Sequence, residues 1–408
     1  MKISINYYIN KFVKGIRYPG LIGSFLFKFL QIFYFNSLFY INHLSGKKNM
    51  IFEITSLGEL WYVEPIWSKL KENKNIEIYF SARNDEFNFP WSEYILYLEQ
   101  YGVSKKRIIF SKITSHIRSC DLFLSPTAWS YGIPRGDIPK IQIFHTLGSK
   151  SLLDLDKLLQ FNAIFLTGPQ IHDQLSLNFL KKYAQARKIK IFDIGYPKSD
   201  ALINKSYNRD EIMRLLSINP AKPTIIYAPN WEVTASLHKM GNEIIQTLAK
   251  MDINLLVKLH HSSYHNPENI FKTGGIDWKK KMEQYSKMYP NVVHIFDFNS
   301  NPYLFVSDIM ITDAGGVGFE YVLLNKPIIY IDVPEYFDQY GREGIDFWGR
   351  SAGNIIKKPE ELPETIKKNL SNPEEYSDNR KELINKLIYN PGNAANKAAE
   401  AVLQLLAK

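Results

Sequence analysis

From residue 50 onward the chain alternates short apolar runs with stretches of helical periodicity, and this pattern narrows its possible folds more than any other feature. The runs are 50-MIFEIT-55, 76-IEIYFS-81, 107-RIIF-110, 121-DLFLSP-126, 141-IQIFHT-146, 163-AIFLTG-168 and 189-IKIFDIG-195. After a break come 224-TIIYAP-229, 253-INLLVKLH-260, 292-VVHIF-296, 309-IMITD-313 and 328-IIYID-332. Segments such as 62–73 and 235–250 between them read as helices. Strands that alternate with helices need right-handed crossovers, which build parallel sheets covered on both faces. A chain of 408 residues is too long for one ordinary core, so two domains are expected. The polar stretch 198–208 and 219-NPAKP-223 mark the boundary. The expected architecture is α/β: two doubly wound domains, 49–205 and 206–380, facing each other across a cleft. Residues 381–408 follow as C-terminal helices able to cross back to the first domain, since 392-GNAANKAAEAVLQLL-406 has strong helix propensity.

Composition removes several classes of function. A single cysteine, Cys120, excludes an internal disulfide framework and a Cys-rich metal site, and fits a reducing compartment. Seven of the nine excess positive charges lie in residues 1–50, as Lys2, Lys11, Lys14, Arg17, Lys28, Lys47 and Lys48, with no Asp or Glu among them. The main body is thus close to neutral, which argues against nucleic acid as a partner.

The same first segment, 1–48, is strongly apolar and aromatic around 21-LIGSFLFKFLQIFYFNSLFYIN-42. No short apolar core leads to a small-residue cleavage site, so a signal peptide is not expected. Gln31, Asn36, Ser37, Asn42 and His43 make it a poor spanning helix. Ser24, Lys28 and Gln31 share one helical face opposite a broad Phe/Leu/Ile face. With basic, acid-free flanks this predicts an amphipathic helix lying in an anionic membrane surface. The alternative is a helix packed on the N-terminal domain.

In doubly wound sheets, ligands gather at the carboxyl ends of the strands. After the fifth run comes 145-HTLGSK-150, where His145 suits a general base and Gly148, Ser149 and Lys150 an anion-binding turn. A turn whose histidine merely caps the sheet is the alternative. Lys258 and the pair His260–His261 close the run 253–260, with His265 four residues on. Adjacent histidines on a strand point to opposite sides, so one at most faces the cleft. No acidic residue stands at a useful spacing, which makes a phosphate contact a better expectation than a metal. The turn 229-PNWE-232 offers Asn230 and Trp231 to a base or sugar, although Trp231 suits interdomain packing equally. In 312-TDAGGVGFE-320, Gly315 and Gly316 let backbone N–H groups approach an oxygen, and a helix from about Val317 directs its positive end there. Glu320, one turn in, can reach ribose hydroxyls.

Taken in order, 145-HTLGSK-150, 195-GYPKSD-200, 227-YAPNWE-232, 258-KLHH-261 and 312-TDAGGVGFE-320 resemble motifs of the CDP-glycerol glycerophosphotransferases of teichoic-acid and capsule synthesis. There the corresponding stretches read HGTP-x-K, GYPRND, YAPTWR, KxHP and TDYSS with an acidic residue a turn later. The likeness continues through 326-KPIIYIDVPEYF-337 and 341-GREGIDFWGRSAGNIIKKPEEL-362. This sequence departs from the pattern in three places: HTLG replaces HGTP, Glu232 replaces Arg, and Gly315–Gly316 replaces a Ser pair. The glycine form is similar to the TDSGGVQEE stretch of UDP-N-acetylglucosamine 2-epimerases.

The resemblance implies a GT-B-like fold of two Rossmann-like domains and a bacterial enzyme peripheral to the inner face of the cell membrane. It also implies a reaction without cofactor or obligatory metal. An acceptor hydroxyl of a lipid-linked or polymeric glycan would attack the distal phosphorus of a CDP-alditol, releasing CMP. His145 would act as base and His260 would donate to the developing phosphate charge. The donor would be bound by Asn230, Trp231, Lys258, Thr312, Asp313, Gly315, Gly316, Val317 and Glu320. A glycosyltransferase or epimerase using a nucleotide sugar is the main alternative, and a non-catalytic scaffold of the same fold is a third.

Overall fold

The computed structural model describes residues 19–82, 91–128, 130, 132–148, 155–176, 179 and 188–407. Seven strands form the first sheet: β1 (Lys48–Ile54), β2 (Ile76–Ala82), β3 (Ile108–Phe110), β4 (Leu122–Ser125), β5 (Lys140–Ile143), β6 (Ala163–Leu166) and β7 (Lys190–Asp193). Their order is β3-β2-β1-β4-β5-β6-β7 and every pairing is parallel. The second sheet holds β8 (Thr224–Tyr227), β9 (Asn254–Val257), β10 (Val292–His294), β11 (Ile309–Thr312), β12 (Ile328–Ile331) and β13 (Asn354–Ile356). It repeats the same winding, β10-β9-β8-β11-β12-β13, again all parallel.

Burial explains why these strands read as continuous apolar runs. Every residue of β8, β9, β11 and β12 is buried, since helices cover both faces. The unpredicted strand is β13, a three-residue edge strand whose Ile355 remains 47% exposed. Several strands end short of the expected runs, β5 at Ile143, β7 at Asp193 and β10 at His294 among them, and the consequential case is β9. β9 stops at Val257, so Lys258 to His260 leave the sheet and His261–Tyr264 form a 3-10 turn.

In each sheet the strand order reverses beside the first strand of its domain, β1|β4 and β8|β11. Loops diverge on either side of that point and leave a crevice at the strand carboxyl ends. In the second domain the loops after β8 and β11 are therefore neighbours.

The chain ends its described course in the first domain. The helix Ala394–Leu406 packs against the helix Leu60–Leu70, and Ala398, Ala399, Ala401, Val402 and Leu405 belong to the same core cluster as Phe52, Phe80 and Leu124. Asp200 accepts hydrogen bonds from the N–H groups of Ala394 and Ala395 at 3.1 and 2.7 Å, placing an acidic cap on that helix. The returning backbone runs so close to Gly195 that an added Cβ would lie 2.2 Å from the Tyr389 carbonyl oxygen. Gly195 also has φ of +102°, so both space and conformation call for glycine.

The helix Pro19–Leu44 divides its aromatic residues between two surroundings. Phe35 and Phe39 are buried against Ile51, Tyr79 and Phe123. Asn36 accepts from the Arg118 N–H at 2.6 Å, and Asn42 donates to Asn49 Oδ1 at 2.6 Å. Leu26, Phe27, Phe29, Leu30, Phe33, Tyr40 and Ile41 stay exposed, Phe33 at 67%. The helix is thus both packed on the domain and apolar on its free face. Among the described residues, no helix is long and apolar enough to cross a membrane.

Candidate active site

His145 follows β5, and its Nδ1 lies 3.0 Å from the carbonyl oxygen of Pro126, which follows the neighbouring strand β4. A carbonyl only accepts, so Nδ1 carries the proton and Nε2 of the neutral ring is a free acceptor. The residue is exposed to the cleft, yet the surrounding protein desolvates the ring enough to lower its pKa below the usual histidine value.

His260, beyond β9, has the reverse arrangement. Its Nδ1 accepts from the backbone N–H of Ser262 at 3.1 Å, so the neutral ring carries its proton on Nε2 as a donor. Desolvation holds its pKa well below the usual value, reinforced by the charges of His261, Lys258, Lys272 and His145. His145 is the smallest of these influences on His260, which puts the two rings in one electrostatic neighbourhood although they come from different domains. Trp231 stacks on His260 with centroids 6.1 Å apart and planes at 26°. His261 does not face away, as strand geometry would require: its ring centroid is 3.9 Å from that of His260. The early end of β9 is the reason. Lys258 donates to the Asp297 carbonyl at 2.8 Å, and burial pushes its ammonium pKa down to about 8.

The glycine turn lies at the reversal point of the second sheet. Gly315 has φ of +139°, accessible to glycine but rarely to other residues, and it precedes the helix Gly316–Val322 with no side-chain cap. Gly315, Gly316 and Val317 remain partly exposed. A Cβ on Gly316 would lie 2.2 Å from Thr146 Oγ1, so the turn meets the residue after His145 in direct contact.

Several of the expected donor contacts have protein partners in this geometry. Thr312 is buried and donates through Oγ1 to the Ala228 carbonyl at 2.7 Å. Asp313 is fully buried, accepting from the Asn230 and Ala314 N–H groups through Oδ1 and from Ser236 N–H and Oγ through Oδ2, at 2.6 to 2.8 Å. Both side chains brace the loops after β8 and β11 instead of presenting oxygens to a donor. Asn230 serves the same brace, donating from Nδ2 to the Ala314 carbonyl at 2.8 Å. Gly148 is buried, and an added Cβ would sit 2.8 Å from Asp346 Oδ1 and 3.2 Å from Phe319. It packs closely against the second domain. Ser149 and Lys150 lie outside the described residues.

Glu320 likewise faces inward, 4% exposed. Lys198 Nζ contacts both of its carboxylate oxygens at 2.8 Å, Ser300 Oγ donates to Oε2 at 2.9 Å, and Tyr196 Oη to Oε1 at 2.9 Å. In this arrangement protein groups occupy the oxygens expected to meet ribose. Tyr196, Lys198 and Ser300 were not assigned from the sequence, although Tyr196 and Lys198 fall within the GYPKSD stretch. Glu232, at the arginine position of the resembling motif, accepts from the Tyr340 hydroxyl and ties the helix Pro334–Tyr340 to the loop after β8. Among the described residues, no group of three or more His, Cys, Asp or Glu is arranged to hold a metal ion.

Two parallel, doubly wound sheets facing a crevice lined from both sides define the GT-B-like class. The whole fold superposes on a structure of the wall teichoic acid polymerase TagF with a TM-score of 0.65 at 17% identity, covering 98% of each chain. A UDP-GlcNAc 2-epimerase from Neisseria meningitidis, bound to UDP-GlcNAc, shares the fold at a TM-score of 0.53 and 14% identity, over 89% of this chain and 100% of that one. Within the class, the chain belongs to the CDP-glycerol:poly(glycerophosphate) glycerophosphotransferase family, which it matches over residues 171–404, more than half its length. A teichoic acid poly(glycerol phosphate) polymerase of Bacillus spizizenii is 28% identical over 191 residues, 44% of this chain and 45% of the relative. A teichoic acid glycerol-phosphate primase of Bacillus subtilis is 26% identical over 206 residues, 47% of this chain and 49% of the relative. The match spans less than half the length of these relatives.

Proposed function

We propose that the protein transfers glycerol phosphate, or another alditol phosphate, from a CDP-alditol to a hydroxyl of a lipid-linked or polymeric glycan, releasing CMP. The observation that carries this reading is the opposite hydrogen bonding of two histidines from the two domains, His145 Nδ1 against a carbonyl and His260 Nδ1 against an N–H, with Thr146 beside the glycine turn. The acceptor hydroxyl gives its proton to Nε2 of His145 as its oxygen attacks the distal phosphorus, and the bond from that phosphorus to the CMP oxygen breaks. His260 Nε2–H donates to the phosphoryl oxygens as charge develops there, while the turn at Gly315–Val317 and Lys258 receive the diphosphate. Phosphoryl transfer asks for such positioning and charge stabilisation more than for covalent catalysis.

The test is release of CMP from CDP-glycerol in the presence of a lipid-linked glycan acceptor. His145→Ala and His260→Ala are each expected to lower kcat by about 100-fold or more. Release of UDP from a UDP-sugar, with CDP-glycerol untouched, overturns the reading.

The free face of the helix Pro19–Leu44 supports a membrane role for the same enzyme. Exposed Phe, Leu and Ile side chains beside basic flanks suit the inner face of an anionic bilayer, where a lipid-linked acceptor would be met.

A further inference from the structure

The catalytic reading needs the base of one domain held in register with the donor turn of the other, and the chemistry of His145 and His260 does not itself supply that hold. Two crossings join them. Thr146, next to His145, touches Gly316 at the start of the helix that also carries Glu320. One turn deeper, the Tyr196 hydroxyl stands between Glu320 Oε1 at 2.9 Å and the carbonyl oxygen of His145 at 3.2 Å. The hydroxyl is within hydrogen-bond reach of both acceptors, and the Tyr62 side chain also hydrogen-bonds to it. The carboxylate end of this bridge is fixed by Lys198 and Ser300, and Asn301 Nδ2 in turn holds the Lys198 carbonyl at 2.7 Å. Lys198 and Glu320 are 6% and 5% exposed, a charge pair sealed between the domains. Tyr62 completes the wall, its ring centroid 6.1 Å from that of His145 and 5.2 Å from Lys198 Nζ.

We propose that Tyr196 is a positioning residue, locking the backbone of His145 to Glu320 on the donor-turn helix, with Lys198 as the charge-balancing anchor. The proposal rests on His145 as the base and adds what aligns it. A buried ion pair contributes little net stability over an apolar replacement, but it resists being pulled apart once formed. That suits a bridge whose task is geometry. Burial and the adjacent carboxylate keep the Tyr196 phenol protonated far above neutral pH, so the bridge does not titrate in the working range.

Steady-state kinetics of CMP release by the full chain test it, using Tyr196→Phe, Glu320→Gln, their double variant and His145→Ala. A misplaced base predicts that Tyr196→Phe lowers kcat by about 10- to 100-fold, with KM for CDP-glycerol within about threefold of wild type. Because the two residues act as one bridge, the double variant should be no slower than the slower single variant. Thermal melts report the folded fraction, and rates are referred to it. Wild-type kcat per folded molecule in Tyr196→Phe overturns the proposal, as does a rise in KM alone or fully additive losses. Full activity in His145→Ala overturns the underlying site reading instead, so the two failures are distinguishable.

Discussion

Nδ1 of His145 carries its proton because it faces the carbonyl of Pro126, and Nδ1 of His260 lacks one because it faces the N–H of Ser262. A single backbone group therefore decides which ring accepts at Nε2 and which donates. Desolvation lowers the pKa of both rings although each keeps an exposed edge, and the nearby cations add to this for His260. His261 follows the same logic: burial first, then Lys258 and Lys272, lower its pKa to about 3. The unfolded chain binds a proton at this site near the ordinary histidine value, about 6.5, whereas the folded one does not until about 3. Between those values the unfolded state holds more protons, so stability falls as pH falls from 6.5 towards 3. Fully buried Asp313, held above its usual value by desolvation, works in the opposite sense at the acid end. The melting temperature of wild type should therefore drop between pH 6.5 and 5, before ordinary carboxylates titrate. His261→Gln should flatten that slope, and an unchanged slope would count against neutral burial of His261.

At the scale of elements, the glycine turn of the second domain is in contact with the segment after β5 of the first. Gly316→Ala puts a Cβ 2.2 Å from Thr146 Oγ1 and 3.2 Å from its Cβ. The strain is relieved by rotating the Thr146 side chain, which leaves its Cβ tight against the new methyl, or by moving the two segments apart. Gly316→Ala should lower kcat by roughly 10- to 100-fold. Adding Thr146→Ala, which removes the nearer atom, should recover part of the loss. A double variant as slow as the single one would show that the contact is not what limits the turn.

This element also marks how far the sequence could be read. The runs of β8, β9, β11 and β12 were legible because strands buried on both faces leave unbroken apolar stretches, while β13 is too short and too exposed to leave one. Strand-end positions of His145, His260 and the glycines followed from the same pattern. The direction in which each side chain points did not. Whether His260 and His261 lie on one side depends on β9 ending three residues early. Whether Thr312, Asp313 and Glu320 face a ligand or the protein depends on partners far along the chain. The groups that occupy Glu320 come from Ser300 and from Lys198 and Tyr196, the latter two 122 and 124 residues away. No local spacing encodes such pairs.

For the whole molecule, the helix Pro19–Leu44 and the cleft belong to one domain surface plan: Phe35 and Phe39 anchor the helix, and its remaining aromatic residues face outward. Sedimentation with vesicles containing an anionic lipid should capture the full chain, less so at high salt. Replacing Phe29 and Phe33 together by Asp should weaken capture by about tenfold or more. Equal capture of the variant would leave the apolar face without a membrane role.

The return of Ala394–Leu406 into the first domain has a temporal consequence. The last strand of that domain, β7, ends at Asp193, yet the helix that completes its core begins at Ala394. At about 5–20 residues per second, a ribosome needs roughly 10 to 40 seconds to make the intervening segment. During that interval the apolar face of Leu60–Leu70 has no covering helix, while the second domain, contiguous from β8 to β13, can already close. The first domain is thus begun before the second and completed after it, and the nascent chain carries an open apolar surface that a chaperone could occupy until the helix Ala394–Leu406 arrives.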